Sequence, residues 1–291
     1  MTFPKKSSGQ VIIKGDSCKY EVFVLQAKSY PRPEMPFPED TIKVSGICDL
    51  YGKTVSSVAT NTEKSFLTGI HLEIYSDCIE AFGCDGTRIA VKKLSAETGG
   101  QLSLTIPKSS FSYLANAVKD EDVLNVGMCG NHIVFFMENL IFSTRFISED
   151  YINTEVLLNS LNSDYTATVD SKKLEIAITM IMACINSSNS ESQVPRVNMR
   201  FLKDEIIFKA ANDISSSHVP VYATISKPTP ASGFWYNPIS FADCFYTVSG
   251  EVKLHLDASG ILLVESTDSK YMLSNVHIRG SKSKTTTKKA A

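Results

Sequence analysis

The stretch Gly46-Ile47-Cys48-Asp49-Leu50-Tyr51-Gly52-Lys53-Thr54 holds the residue types of a phosphate-binding loop: two glycines, then lysine and threonine. Such a loop needs four residues between its glycines, so that successive amides can wrap one phosphate. Here there are five, and Ile47 and Leu50 fall at helical spacing, so the stretch reads as an amphipathic helix. The five histidines, His71, His132, His218, His255 and His277, lack His-Glu-x-x-His or any other close ligand spacing, and no metal is expected. The seven cysteines, Cys18, Cys48, Cys78, Cys84, Cys129, Cys184 and Cys244, are odd in number and scattered, with no Cys-x-x-Cys. That suits reduced thiols in a cytoplasmic protein. There is no Gly-x-Ser-x-Gly, and no acidic pair stands out from the general scatter of carboxylates. No catalytic residue and no cofactor is assigned, which points to a binding or structural role rather than an enzyme. Cys84-Asp85-Gly86-Thr87-Arg88-Ile89-Ala90 reads, taken alone, as a tight hairpin turn in which Asp-Gly supplies positive φ.

The elements that would position these residues repeat. Gly69 to Ile74 followed by Ile79 to Phe82 is an alternating strand, a turn and a second strand, and so is Arg196 to Phe201 followed by Ile206 to Phe208. Ile70 and Ile79 recur as Val197 and Ile206, each 127 residues on. Pro107 and Pro238, 131 residues apart, each open a helix pattern, with apolar faces Phe111, Leu114, Val118 and Phe241, Phe245, Val248. Asp170 or Ser171 caps a helix striped by Leu174, Ile178, Ile181 and Ile185. Its counterpart is expected at about 45–57, with Val44, Ile47 and Tyr51 inward; Gly46 and Gly52 weaken that helix. Closing hairpins follow at Ile133–Phe136 with Leu140–Phe146, and at Ile261–Val264 with Tyr271–Val276. A third copy of the hairpin opens the chain, Val11–Ile13 with Tyr20–Leu25, and nothing like the first half of the repeat precedes it. A repeat this long is a whole small domain, not a solenoid turn.

The 291 residues, 43% hydrophobic and 21% charged, suit two soluble α+β domains. No apolar run is long enough to span a membrane and no signal peptide opens the chain. The net charge of −2 excludes a protein coated in positive charge while leaving room for a local basic surface. The expected organisation is 1–37, the tail end of a first domain and a proline-rich linker; 38–163 and 164–280, two complete domains; and 281–291, a disordered basic tail.

In register with the repeat, Leu67-Thr68-Gly69-Ile70 and Gly83-Cys84-Asp85-Gly86-Thr87-Arg88-Ile89-Ala90 resemble two signatures of the middle domain of the bacterial DNA polymerase III beta subunit, the sliding clamp. Arg145-Phe146-Ile147 and Asp150-Tyr151-Ile152 resemble the run that leads into its last domain. The likeness covers residues 9 to 280 at low identity. It implies repeated clamp domains, each with two helices packed on antiparallel sheets, and a ring whose helices line a hole around duplex DNA without reading sequence. It also implies a processivity factor that tethers the polymerase and is opened by a clamp loader, with no cofactor, no membrane and self-association into a homo-oligomer.

The DNA-facing candidates that follow are Lys53, Lys108, Lys119, Lys172 and Lys173 on the helices, and Lys64 on a loop near the DNA. The helix at 238–249 carries no Lys or Arg, so the basic lining is uneven. The family's cleft for short peptide motifs of polymerases and the clamp loader falls by position on Leu67, Cys84, Gly86, Thr87, Ile89, Leu158, Asn159, Met272 and Ser274. Asn159 replaces a usual proline, and Ser274-Asn275 a usual apolar residue and proline, which removes apolar lining. The short first domain leaves three assemblies open: a piece of a longer clamp, a two-domain clamp closing as a trimer, or a relative that forms no ring. The alternatives are a clamp-like, non-ring module binding replication proteins, and an enzyme on an unrelated α+β fold.

Overall fold

The computed structural model describes residues 10–25, 37–186, 195–212 and 215–276. They fall into two compact units, one ending at Phe37 and one starting at Pro38. The expected basic start, most of the proline-rich stretch, His277 and the basic tail lie outside the described residues.

The described residues of the first unit form an antiparallel hairpin, β1 (Gln10–Lys14) with β2 (Lys19–Phe23), which sets Val11 opposite Val22 and Ile13 opposite Tyr20. Its turn is closed by Gly15 N donating to Cys18 O at 2.9 Å. Tyr20, Phe23 and Leu25 stay exposed.

The second unit contains the repeat. The first copy runs β3 (Ile42–Val44), α1 (Ile47–Thr54), β4 (Gly69–Ile74), β5 (Cys78–Cys84), β6 (Arg88–Ser95), β7 (Leu102–Pro107), α2 (Lys108–Ala117), β8 (Leu124–Cys129), β9 (His132–Met137) and β10 (Leu140–Arg145). A connector with a short helix, α3 (Thr154–Asn159), leads to the second copy. That copy runs β11 (Tyr165–Asp170), α4 (Ser171–Asn186), β12 (Val197–Phe201), β13 (Glu205–Ala211), β14 (Ser216–Tyr222), β15 (Thr224–Ile225), β16 (Phe234–Tyr236), α5 (Pro238–Tyr246), β17 (Glu251–Leu256), β18 (Leu262–Glu265) and β19 (Ser269–Leu273). Strands β10-β9-β8-β3 form one sheet and β14-β13-β12-β16 another. Their counterparts, β19-β18-β17-β11 and β6-β5-β4-β7, are fused through β19 and β6 and extended by β15 into a single nine-stranded antiparallel sheet. That join, with Tyr271 opposite Ala90, was not legible from the repeat.

Each copy keeps its own core. Ile47, Leu50, Phe111 and Leu114 of α1 and α2 bury against Ile70, Leu72, Val126 and Phe135. Leu174, Ile178, Ile181, Phe241 and Phe245 of α4 and α5 bury against Met199, Phe208 and Leu254. The 3.6-residue stripes are what hold these helices on the sheets. The helix expected at 45–57 is α1 followed by a 3-10 turn, Val55–Ser57. Its inward residues are Ile47, Leu50 and Thr54; Tyr51 lies further round the helix, half-buried, and meets Phe111 edge-on at 5.8 Å. At its start Gly46 adopts φ 71° and caps the helix without a side-chain bond, so this glycine begins a helix rather than a phosphate loop.

Candidate peptide cleft and helix face

The Asp85-Gly86 turn between β5 and β6 is built by one carboxylate. Asp85 Oδ1 accepts from Thr87 N at 2.9 Å, Thr87 Oγ1 at 2.7 Å and Arg88 N at 3.1 Å, and Gly86 supplies φ 90°. Arg88 is an internal anchor. Its Nε donates to Asp85 Oδ2 at 2.8 Å and its Nη1 to Asp243 Oδ2 of α5 at 2.7 Å. Burial opposes its charge, but Tyr271, Asp85 and Asp243 more than offset that, so the guanidinium is held above its usual pKa.

The turn forms one side of a cavity of about 330 Å³. Seven of the nine expected cleft residues line it: Leu67, Cys84, Gly86, Thr87, Ile89, Met272 and Ser274. Leu67 sits in a 3-10 turn, Ser65–Thr68, ahead of β4, and packs with buried Cys84 and Ile89. Phe66, Ile152, Leu157, Leu161 and Ile261 add apolar wall that the sequence reading missed. Burial pushes the Cys84 thiol above its usual pKa, although Gly86 N donating to its sulfur at 3.3 Å pulls the other way.

Leu158 and Asn159 do not join the cleft; they line a separate groove. The cause is α3, capped by Asn153 Oδ1 accepting from Val156 N at 3.0 Å. Around a helix, 157, 160 and 161 share one side and 154, 155, 158 and 159 the other. Ser274 does face the cleft, where its N donates to Thr87 O at 3.0 Å. Asn275 is a clip: its Oδ1 accepts from Trp235 N at 3.0 Å and its Nδ2 donates to Ser259 O at 3.0 Å.

Lys64 lies on a loop at this cleft, immediately ahead of the 3-10 turn that carries Leu67. The other lysines are on or beside helices. Lys172 and Lys173 are exposed in the first turn of α4, and Lys108 begins α2. Lys119 lies past the end of α2, exposed and 3.9 Å from Glu121. Lys53 lines a groove between α1 and α5 that also holds Asp49, Asp120, Asp243 and Tyr246. Tyr113, Ile176, Met180, Ile239 and Tyr246 project into solvent from the same helices. Beneath that groove Lys92, only 4% exposed, donates to Asp268 Oδ2 at 2.6 Å and meets Asp49 Oδ2 at 2.9 Å, tying β6 to α1 and to the β18–β19 turn.

Residues 41–153 match the central domain of the DNA polymerase III beta subunit. The chain is 23% identical over 171 residues to the beta sliding clamp of Lactococcus lactis, covering 57% of this chain and 45% of that protein. It is 22% identical over 202 residues to that of Halalkalibacterium halodurans, covering 67% and 52%. The chain thus spans about half the length of the curated relatives it matches. In fold it superposes on a putative DNA polymerase III beta subunit from Eubacterium rectale with a TM-score of 0.82, at 16% identity, over 94% of this chain and 76% of that one. The DNA polymerase sliding clamp of Bacillus subtilis gives a TM-score of 0.80 at 18% identity, over 94% and 73%.

Proposed function

We propose that this chain, a relative of the DNA polymerase III beta subunit, is a non-catalytic sliding-clamp subunit that associates with itself into a ring around duplex DNA and tethers a replicative polymerase. The observation that carries the reading is the edge-to-edge fusion of two like units through β6 and β19, with α1 and α5 side by side. The counterparts of those strands, β14 and β10, are open edges among the described residues, and pairing them between copies repeats the same join. In this reading 38–163 and 164–280 are the two clamp domains. Lys53, Lys108, Lys172 and Lys173 face phosphates without reading bases, and the protein works in the cytoplasm beside the DNA. Tethering replaces affinity by local concentration. The cleft around Ile89 takes apolar peptide motifs of the polymerase and the clamp loader.

The test is topological. Loaded onto nicked circular DNA by a clamp-loader ATPase, the protein should stay bound in high salt and be lost once the circle is cut. Equal retention on circular and linear DNA sinks the ring. Ile89→Asp should abolish peptide capture by charging an apolar wall; unchanged capture rejects the cleft. A second reading, a clamp-like module that encircles nothing, is favoured by the helix face, where Asp49, Asp120 and Asp243 gather beside Lys53. Retention separates the two.

A further inference from the structure

We propose that α3 divides one docking surface into two parts, and that the partner is an extended segment of another protein whose apolar anchors are followed by lysine or arginine. The proposal rests on the peptide-cleft reading and adds a second half to it. On the far side of α3 from the cleft lies a groove of about 790 Å³ over β4, β5 and β6, and Ile152 lines both. The groove has an aromatic floor, with His71 and Tyr151 stacked at 4.5 Å and 4° beside Phe82.

Its walls carry six carboxylates, Glu73, Glu80, Asp150, Glu155, Glu265 and Asp268, against two lysines, Lys93 and Lys270. Four of the six are engaged internally. Glu73 accepts from Ser103 Oγ and pairs with His71 Nε2, each at 2.9 Å, and Glu80 pairs with Lys93 at 2.7 Å. Glu265 pairs with Lys270 at 2.9 Å, and Asp268 with Lys92 at 2.6 Å. Asp150 and Glu155 are exposed and have no ion pair among the described residues. Val156, 60% exposed, stands next to Glu155 on α3, between the two sides. A segment leaving the apolar cleft across α3 therefore meets Glu155 and Asp150. A helix about 10 Å across is spanned by about three or four extended residues, which fixes the spacing between last anchor and first base. The apolar residues supply burial, and the charges supply orientation and selection.

The test uses the full chain and two labelled peptides sharing Leu-Gly-Leu-Phe-Gly-Ser-Gly, one ending Lys-Arg-Lys and the other Ser-Gly-Ser, followed by fluorescence anisotropy in low salt. The basic peptide should bind about fivefold tighter, in keeping with two exposed ion pairs. The double variant Asp150→Lys, Glu155→Lys should erase that advantage and leave the neutral peptide unchanged. Leu157→Asp should remove both. Equal affinities in the native protein, or an advantage that survives the double variant, overturn the groove proposal while the cleft stands. If neither peptide binds, the cleft reading falls and takes the proposal with it.

Discussion

Replacing Lys92 by methionine should uncouple the two halves of the nine-stranded sheet. Methionine keeps most of the apolar stem and removes the charge. In the native protein the ammonium lies 2.6 Å from Asp268 and 2.9 Å from Asp49, and its side chain is 5% exposed. Breaking a fully buried pair costs about 3–5 kcal/mol. Here Asp49 and Asp268 remain 33% and 45% exposed and can rehydrate, so screening reduces the loss to about 2 kcal/mol.

The pH dependence follows from two shifts. Asp268 is lowered: burial opposes its charge, but hydrogen bonds from Lys92 and Ser269 prevail, so its contribution is present above about pH 4 and lost as pH falls through that range. Lys92 is raised against the cost of burial by Asp268 and Asp49, so its contribution holds below about pH 10. The difference between native and variant should be flat from about pH 5 to 9 and shrink in acid. Trp235, the single tryptophan, sits in β16 and reports on the second copy of the repeat, whereas circular dichroism reports on both copies. Urea unfolding should give coincident transitions for the native chain and separated ones for Lys92→Met. A variant with an unchanged midpoint, or a difference that does not vary with pH, refutes the coupling.

Gly83→Ala should cost about 2 kcal/mol in urea unfolding, because a β-carbon there runs into the Thr54 carbonyl at the end of α1; a neutral result refutes that close approach. Alkylation by N-ethylmaleimide at neutral pH should reach exposed Cys18 well before buried Cys84, and mass mapping that finds Cys84 modified first contradicts the burial argument. Pro220 lies on edge strand β14 opposite Ile207, with its missing N–H toward the open side. Pro220→Val restores one donor to that edge and should lower the concentration for half-association about fivefold by light scattering; unchanged or weaker association argues against self-pairing through β14.

What the sequence made legible is what local chemistry controls. Pro238 in the first turn, Asn237 accepting from Ile239 N and Ser240 N, and the stripe Phe241, Phe245 specify α5 with no outside help. Asp85 and Gly86 specify their hairpin in the same way. The β6–β19 join was hidden because backbone pairing between distant edges leaves no side-chain signature, and Lys92 resembles any strand lysine until Asp49 and Asp268 are brought to it. Helix α3 was legible and went unread: Asn153 is a cap, and a 3.6 period counted from it sets Leu157 with Leu161 and turns Leu158 and Asn159 away. Lys64 lies on a loop, as expected, but its place at the cleft was hidden, since the 3-10 turn Ser65–Thr68 that follows it leaves no apolar period to read.

The same pseudo-symmetry that fuses the two halves also separates two kinds of edge. The internal join brings together strand pairing, the Lys92 pairs with Asp49 and Asp268, the Arg88 pair with Asp243, and the Ser57 Oγ bond to Tyr271 at 2.8 Å. The matching outer strands carry little of this: β14 reads Ser-Ser-His-Val-Pro-Val-Tyr, with a proline on its open side, and β10 carries one charged residue, Arg145. Backbone pairing alone is weak beside pairing reinforced by half-buried ion pairs, a side-chain hydrogen bond and packing. In the proposed assembly closed through β10 and β14, force or thermal motion should therefore part the copies before it parts β6 from β19. That order of strengths is what the proposed ring would need to open between copies while each subunit stays intact.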